Sequence, residues 1–509
     1  MDVNTSKTEK TPGSTVVAPI IKEGYTKERL ETPPRAYSLA SLAGTGLLVG
    51  NVWPAIGGSI LVAIFNGGPP GVLYEFLAVS VGYWTVAASI AELASAMPSS
   101  SGVYLWATVI PGPRFGRVVG FFAGWWNYLA WTLGAASMAA ILGNTAVHMY
   151  TLNHPGFEPA VWHVLVVYLL ATWISTASVC LVNSAMPAVN KIGIGAILIG
   201  FIATVVTMAG MPGTGGRPPH ATSTFVWMEW IADIGYPDTL VFLTGMLNGA
   251  YSIGAIDAIT HLAEEIPQPS RNVPIALGLQ VSVGFVTGFC YLIAILYAIN
   301  DFDALFESSY AIAEIYRQGT NSTAGATALL SLIFTCIALC VVGLYITCGR
   351  ILWTLARDGA TPFSGALGTV HAGLRMPLVS TITTAVLVSL LGLLYLGSST
   401  AFNALLGSSI LFSISSYLAA ILPNLLRRRE GMEHGYFRMP RRLGLLINSV
   451  ACVFMVVLFV IFCLPYSLPT SPERMNYASL IWAGLSLCVG AWWMTGGKAD
   501  YKGPIMTCC

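Results

Sequence analysis

The chain has 509 residues, 55% of them apolar and only 9% charged, against roughly 25% charged in an ordinary soluble domain, so a water-soluble globule is excluded. Twenty-four Lys+Arg and 23 Asp+Glu leave a net charge of +1, and no basic field exists to attract nucleic acid. Of ten cysteines, eight lie inside apolar runs and none has zinc-ligand spacing, so neither a disulfide framework nor a metal or cofactor is expected.

Residues 1–36 are polar, mix Lys with Glu and hold no apolar stretch; they read as a disordered cytoplasmic tail without a cleavable signal peptide. Twelve apolar segments follow, at about 37–65, 69–97, 115–146, 160–181, 186–209, 239–262, 273–299, 325–357, 376–396, 401–425, 441–465 and 477–496. Each can cross a hydrocarbon core of about 30 Å as a helix, the form in which a segment in lipid satisfies its own backbone. Residues 37–496 therefore read as one transmembrane domain, and 497–509 as a C-terminal tail whose final Cys508-Cys509 pair is able to accept a lipid. Twelve crossings put both termini on one side. Lys and Arg mark that side as cytoplasmic, since 21 of them fall there and only Arg217, Arg317 and Arg474 fall opposite, among nine acidic residues. The sequon Asn321-Ser322-Thr323 lies in an outer loop, as glycosylation requires.

The first segment is interrupted by Asn51-Val52-Trp53-Pro54-Ala55-Ile56-Gly57-Gly58-Ser59. Proline removes a helix hydrogen bond and glycine costs about 1 kcal/mol relative to alanine, which predicts a break near the bilayer midplane. The sixth segment repeats the feature from Gly245 through Asn248, Gly249 and Gly254 to Asp257. Interruptions in segments one and six suggest two five-helix halves of inverted topology, about 37–209 and 239–425, followed by two further helices in 441–496. Broken helices expose unpaired N–H and C=O groups, tolerable at membrane depth where they line a cavity or bind a ligand. An N-terminal half-helix end suits a carboxylate and free carbonyls suit an ammonium. Close helix packing is the other use of such glycines. The candidate substrate-binding residues are Trp53, Ala55, Ile56, Gly57, Gly58, Tyr251, Gly254 and Ala255, with Trp131 from segment three. Trp125, Trp126, Tyr128 and Trp131 make up either an aromatic box for a quaternary ammonium or ordinary core and interface aromatics.

Few ionisable residues lie in the apolar runs, and such residues are expensive in lipid and usually functional. Glu75 and Glu92 sit near opposite ends of segment two, where packing or capping is expected. Asp257 follows the second break and is the sharper candidate, for proton exchange or as counter-charge to an organic cation; its alternative is a structural hydrogen bond across the break. Lys191, near the start of segment five, is a candidate substitute for a bound ion or else a snorkelling cytoplasmic lysine.

Three stretches carry a family resemblance: Ala91-Glu92-Leu93-Ala94-Ser95-Ala96-Met97-Pro98-Ser99-Ser100-Ser101-Gly102-Val103-Tyr104, His261-Leu262-Ala263-Glu264-Glu265-Ile266-Pro267-Gln268-Pro269-Ser270-Arg271-Asn272-Val273-Pro274, and Arg357-Asp358-Gly359-Ala360-Thr361-Pro362. Together they resemble the amino acid–polyamine–organocation superfamily, in its fungal amino acid/choline/GABA permease branch, over the chain from residue 37 onward. The resemblance implies an all-α polytopic membrane protein of LeuT-type fold: twelve transmembrane helices as a 5+5 inverted repeat with helices 1 and 6 broken, plus two C-terminal helices. It places Tyr251 where the family has a gating aromatic residue, Asp257 where one bacterial branch has a functional glutamate, and Lys191 where related architectures hold sodium. In helix one the family usually shows a Gly-small-Gly turn, where Pro54-Ala55-Ile56-Gly57-Gly58 stands in this chain. The expected function is secondary transport of a small amine-bearing solute (amino acid, GABA, choline or polyamine), coupled to a proton or alternatively to sodium, across the plasma membrane or the vacuolar membrane. Export or import of a specialised nitrogenous metabolite, or a nutrient sensor that does not transport, are the alternatives. An intramembrane enzyme is disfavoured, since HExxH, GxSxG and GxxxxGK[ST] are absent from the sequence.

Overall fold

Segments that are apolar around their whole circumference close their backbone hydrogen bonds as helices and meet lipid or other helices on every side. The computed structural model describes residues 38–182, 185–395, 400–430, 435–472 and 474–504; the expected tail at 1–36 and the Cys508-Cys509 pair lie outside them. Twelve apolar helices follow one another: α1 (Leu39–Gly58), α2 (Gly68–Ala96), α3 (Gly116–Asn153), α4 (Val161–Leu181), α5 (Met186–Gly210), α6 (Asp238–Glu265), α7 (Pro269–Leu296), α8 (Thr323–Arg357), α9 (Leu378–Tyr395), α10 (Thr400–Leu426), α11 (Arg441–Ile461) and α12 (Ala478–Trp492). Among the described residues, eleven spans are long and apolar enough to cross a membrane, and α9 is a shorter apolar helix of 18 residues. The chain is therefore a multi-pass integral membrane protein. No β-strand occurs among the described residues.

The 38 residues of α3 extend about 57 Å at about 1.5 Å per residue, well beyond a hydrocarbon core of about 30 Å. This long helix is a central post, packed against α4, α8, α9 and α10. The helix α1 packs on α5, α7 and α8, while α2 packs on α6, α7 and α11. Five spans separate the start of α1 from the start of α6, so the two enter from opposite faces of the bundle. Both are interrupted, and α1–α5 and α6–α10 are the inverted halves of a LeuT-type fold, with α11 and α12 trailing. Ser38, the side-chain cap of α1, marks the tail face of the bundle.

The first break falls earlier than proline and glycine alone predict. The helix Leu39–Gly50 ends at Asn51, which sits in the left-handed region at φ 35°, and a second helix runs over Val52–Gly58. Asparagine is one of the few side chains that tolerate this conformation. Pro54 then occupies the third helical position, where its missing N–H is one the helix end leaves unused anyway. Gly57 and Gly58 lie inside the second helix rather than at the break. In α6 the α-helix ends at Ile253, residues 254–256 are irregular, and a tighter 3₁₀ turn continues over Asp257–Glu265.

Candidate functional site

The two breaks lie side by side and are joined by a residue from α7. Gln280 Nε2 donates to the Ala255 carbonyl at 2.7 Å. A Cβ on Gly46 or Gly50 would come within 2.8 or 2.9 Å of the same Gln280 side chain, so both glycines of α1 lie against it. Among the described residues, Gln280 Oε1 and both side-chain polar atoms of Asn51 are buried without a well-formed hydrogen bond, the Cys340 thiol of α8 being the polar neighbour of Asn51. Buried amides are normally satisfied, because an orphan polar group costs about 1–3 kcal/mol. Break one thus carries unused donors and acceptors in its interior. Neither Asn51 nor Gln280 is in the set of site residues expected from sequence, although a lone amide in an apolar segment is the signal that marks each.

Toward the face opposite the tail, the two half-helices are tied to each other. Ser59 Oγ lies 3.0 Å from Asn248 Oδ1 and 2.7 Å from the Ala55 carbonyl, and Asn248 Nδ2 donates to the Ile56 carbonyl at 3.4 Å. Tyr251 Oη pairs with Ser137 Oγ of α3 at 2.6 Å. Gly57 is covered by Tyr291 of α7 and Gly58 by Ile141 of α3. A side chain from another helix closely approaches each of these two glycines. Gly254 is where Tyr83 of α2 approaches, with ring atoms 3.0 Å from where a Cβ would stand.

Trp53 is buried, donates from Nε1 to the Ile197 carbonyl of α5 at 3.2 Å, and stacks obliquely 5.3 Å from Tyr291. It belongs to the α1–α5–α7 wall, in a cleft it shares with Leu47, Gly50, Ile194 and Gln280. Trp125 bonds the Ala360 carbonyl, Trp126 bonds Ser486 of α12, and Tyr128 pairs with Thr384 of α9. Trp125 and Tyr128 meet edge to face at 6.1 Å, while Trp126 turns to Trp482 of α12 at 6.2 Å, and Trp131 is buried in α3 beside them.

Asp257 opens the second half of α6 and is fully buried. Asn127 Nδ2 of α3 donates to its Oδ2 at 2.6 Å, Tyr417 Oη of α10 donates to its Oδ1 at 2.7 Å, and His261 Nε2 lies 3.1 Å from Oδ2. Tyr417 Oη is also 3.3 Å from the Gly254 carbonyl at the break. The ring that meets Asp257 from its own segment is that of His261, four residues on. The other charged candidates fall elsewhere. Lys191 is exposed at the start of α5, and it is Asn190 that faces α1, through Nδ2 to Thr45 Oγ1 at 2.6 Å. Glu75 is buried where α2 meets Gly245 of α6, with neither oxygen hydrogen-bonded among the described residues. Glu92 accepts from Met439 N at 2.9 Å and from Arg429 Nη2, tying α2 to the segment between α10 and α11.

The three stretches that carry the family resemblance converge on the tail face. Arg350 of α8 grips Glu265 with Nε at 2.5 Å and Nη2 at 3.0 Å. Tyr104 Oη donates to Asp358 Oδ2 at 2.8 Å, Ser100 N to Glu264 Oε1 at 3.3 Å, and Glu264 N back to Ser100 Oγ at 3.2 Å. Ser95 and Ser270 exchange hydroxyl-to-carbonyl bonds at 2.7 and 2.6 Å. Three segments far apart in sequence thus clamp one another below the breaks.

Two broken helices crossing in inverted halves define a membrane transporter of LeuT-type fold. The chain belongs to the amino acid permease family, whose model matches residues 38–485. Among its relatives are the choline transporter of Saccharomyces cerevisiae, 29% identical over 92% of this chain and 82% of that one, and amino-acid permease BAT1 of Arabidopsis thaliana, 26% identical over 86% of this chain and 87% of that one. The swainsonine transporter swnT of Arthroderma benhamiae is 26% identical over 86% of this chain and 85% of its own. A mutant of the manganese transporter of Eremococcus coleocola shares the fold, with a TM-score of 0.58 at 14% identity over 93% of this chain and 99% of that one.

Proposed function

We propose that the protein is a proton-coupled secondary transporter of a small amine-bearing solute, an amino acid, GABA, choline or a polyamine, held between the breaks of α1 and α6. The observation that carries this reading is the set of unpartnered amide atoms on Asn51 and Gln280, buried beside the irregular backbone of both breaks. Acceptors of this kind suit an ammonium, and amide donors suit a carboxylate. The relatives named for choline and for amino acids support the same solute chemistry. Around the breaks, Trp53, Ala55, Ile56, Tyr251, Gly254 and Ala255 form the wall, with Gly57, Gly58 and Trp131 behind it. Asp257 carries the coupling proton, and Lys191, exposed on α5, takes no part.

The same reading puts the tail face in the cytoplasm of a plasma-membrane protein, because positive loops stay inside and 21 of 24 Lys+Arg belong to that side. Asn321 then faces outward, exposed at the turn before α8, as a glycosylation acceptor. Similarity to the swainsonine transporter favours a second reading, a specialised nitrogenous metabolite as solute. Uptake of labelled amino acids, GABA, choline and polyamines by cells expressing the protein, with an acidic medium outside, tests the proposal. Absence of uptake and exchange for every one of them, with the protein verified at the surface, would overturn it and leave the specialised solute or the sensor.

A further inference from the structure

Hydrogen-bond accounting around His261 fixes how many protons its neighbourhood holds. His261 Nδ1 lies 2.9 Å from the Ser100 carbonyl. A carbonyl only accepts, so Nδ1 carries a hydrogen. On the other edge of the ring, Nε2 lies 3.1 Å from Asp257 Oδ2. Two bare lone pairs at that distance repel, and a hydrogen must stand between them. It comes either as imidazolium facing carboxylate or as imidazole facing carboxylic acid. In both forms the pair holds one proton more than a neutral imidazole and a carboxylate would. The remaining acceptor sites of Asp257 are met by Asn127 and Tyr417, neither of which supplies a charge.

We infer that Asp257 and His261 together form the binding site of the transported proton, and that losing it releases the tail-face clamp. The inference rests on the proton-coupled reading above and adds to it the second residue and the direction of release. On the side of the break, Asp257 joins α3, α10 and, through Tyr417, the Gly254 carbonyl. On the other side, His261 lines a cleft on the tail face with Glu264, Glu265, Arg350 and Arg375. Those are the charged groups that face it from its own helix, from α8 and from the loop before α9; Glu265 is neutralised by Arg350, and Glu264 Oε2 has no partner among the described residues. Tyr104, Arg357 and Asp358 complete the clamp one layer further out. The proton leaves from the ring of His261 into this cleft, with Nδ1 and Nε2 changing places as donor and acceptor. Once it has gone, a lone pair on Nε2 or on Nδ1 confronts Asp257 Oδ2 or the Ser100 carbonyl. Where the lone pair falls on Nδ1, the bond from His261 to the Ser100 carbonyl is lost, one of the contacts that tie the second half of α6 to the segment after α2, so closure of the tail face and proton occupancy rise and fall together.

The test uses the purified full chain in liposomes with labelled choline and labelled GABA. An inward proton gradient should drive wild-type accumulation of about tenfold per pH unit for one proton per solute. His261→Gln keeps a donor toward Asp257 but cannot exchange a proton. It should still exchange internal for external solute at equal pH, while gradient-driven accumulation falls to simple equilibration and the pH profile flattens; His261→Asn and Asp257→Asn should do the same. His261→Gln that accumulates solute with the wild-type pH profile overturns the inference and leaves the transporter reading intact. Wild type that exchanges a probe but never accumulates it under the gradient overturns proton coupling itself, and the inference with it. Should the variants lose their fold, wild-type protein carrying ¹⁵N-histidine decides: His261 and an infrared carboxyl band should titrate as one coupled event, and a histidine with a merely structural role shows no such joint titration, which overturns the inference.

Discussion

Gly57 faces a tyrosine from α7 that leaves no room for a side chain. A Cβ there would overlap Tyr291 Oη and stand 3.1 and 3.2 Å from the ring carbons Cζ and Cε1. Tyr291 is fully buried and its Oη is bonded to Tyr316 Oη at 2.9 Å, so the ring has no free direction in which to move. Overpacking of this kind costs about 1–3 kcal/mol, and displacing the tyrosine pair adds about 0.5–1.5 kcal/mol. Gly57→Ala should therefore destabilise the protein by about 2–4 kcal/mol. Tyr291→Phe removes the atom that overlaps and leaves carbon contacts a small shift relieves. The double variant should be more stable than the sum of its parts, with a coupling of about 1–2 kcal/mol, within the range of about 0.5–3 kcal/mol seen for residues in contact. Thermal unfolding of detergent-purified protein, followed by tryptophan fluorescence, measures all four corners of the cycle. Additive effects would refute the reasoning, for they would mean that Gly57 faces open space kept for the solute.

Cysteine labelling from outside intact cells should reach a cysteine placed at Arg317 and fail to reach one at Arg428; labelling at Arg428 would reverse the assigned orientation. Arg350→Ala strands Glu265 as a buried charge and should cost about 3–5 kcal/mol, read as lowered thermal stability; replacing both by apolar residues should recover most of the loss, and equal damage from the pair would contradict a buried ion pair. Asn51→Gly keeps a residue suited to φ 35° while removing both unpartnered amide atoms, so folding should survive and solute affinity fall. Asn51→Val should damage folding as well, since a β-branched residue resists that conformation; unchanged uptake kinetics in Asn51→Gly would remove Asn51 from the site.

Counting was enough for part of this protein. Twelve apolar runs, their lengths and the lopsided distribution of Lys and Arg are one-dimensional properties, and in lipid the backbone has almost no other way to satisfy itself than the helix. Interruptions in segments one and six were equally visible, because proline, glycine and asparagine act on the chain locally. The exact place of the first break was not, since Asn51 takes the left-handed turn and Pro54 fits harmlessly into the first turn after it. What faces what belongs to the tertiary structure alone. Gly57 and Gly58 have the same signature whether they open a cavity or admit a neighbour, and which side chains approach them, Tyr291 and Ile141 from other helices, is visible only in the tertiary structure. Trp125, Trp126 and Tyr128 are adjacent in sequence, yet the helical turn sends each to a different partner. Asp257 was conspicuous as an acid in an apolar run. That its oxygens are met by Asn127 and Tyr417 from distant helices, with the His261 ring 3.1 Å away, follows from how α3, α6 and α10 pack, because a hydrogen-bond network is satisfied in three dimensions.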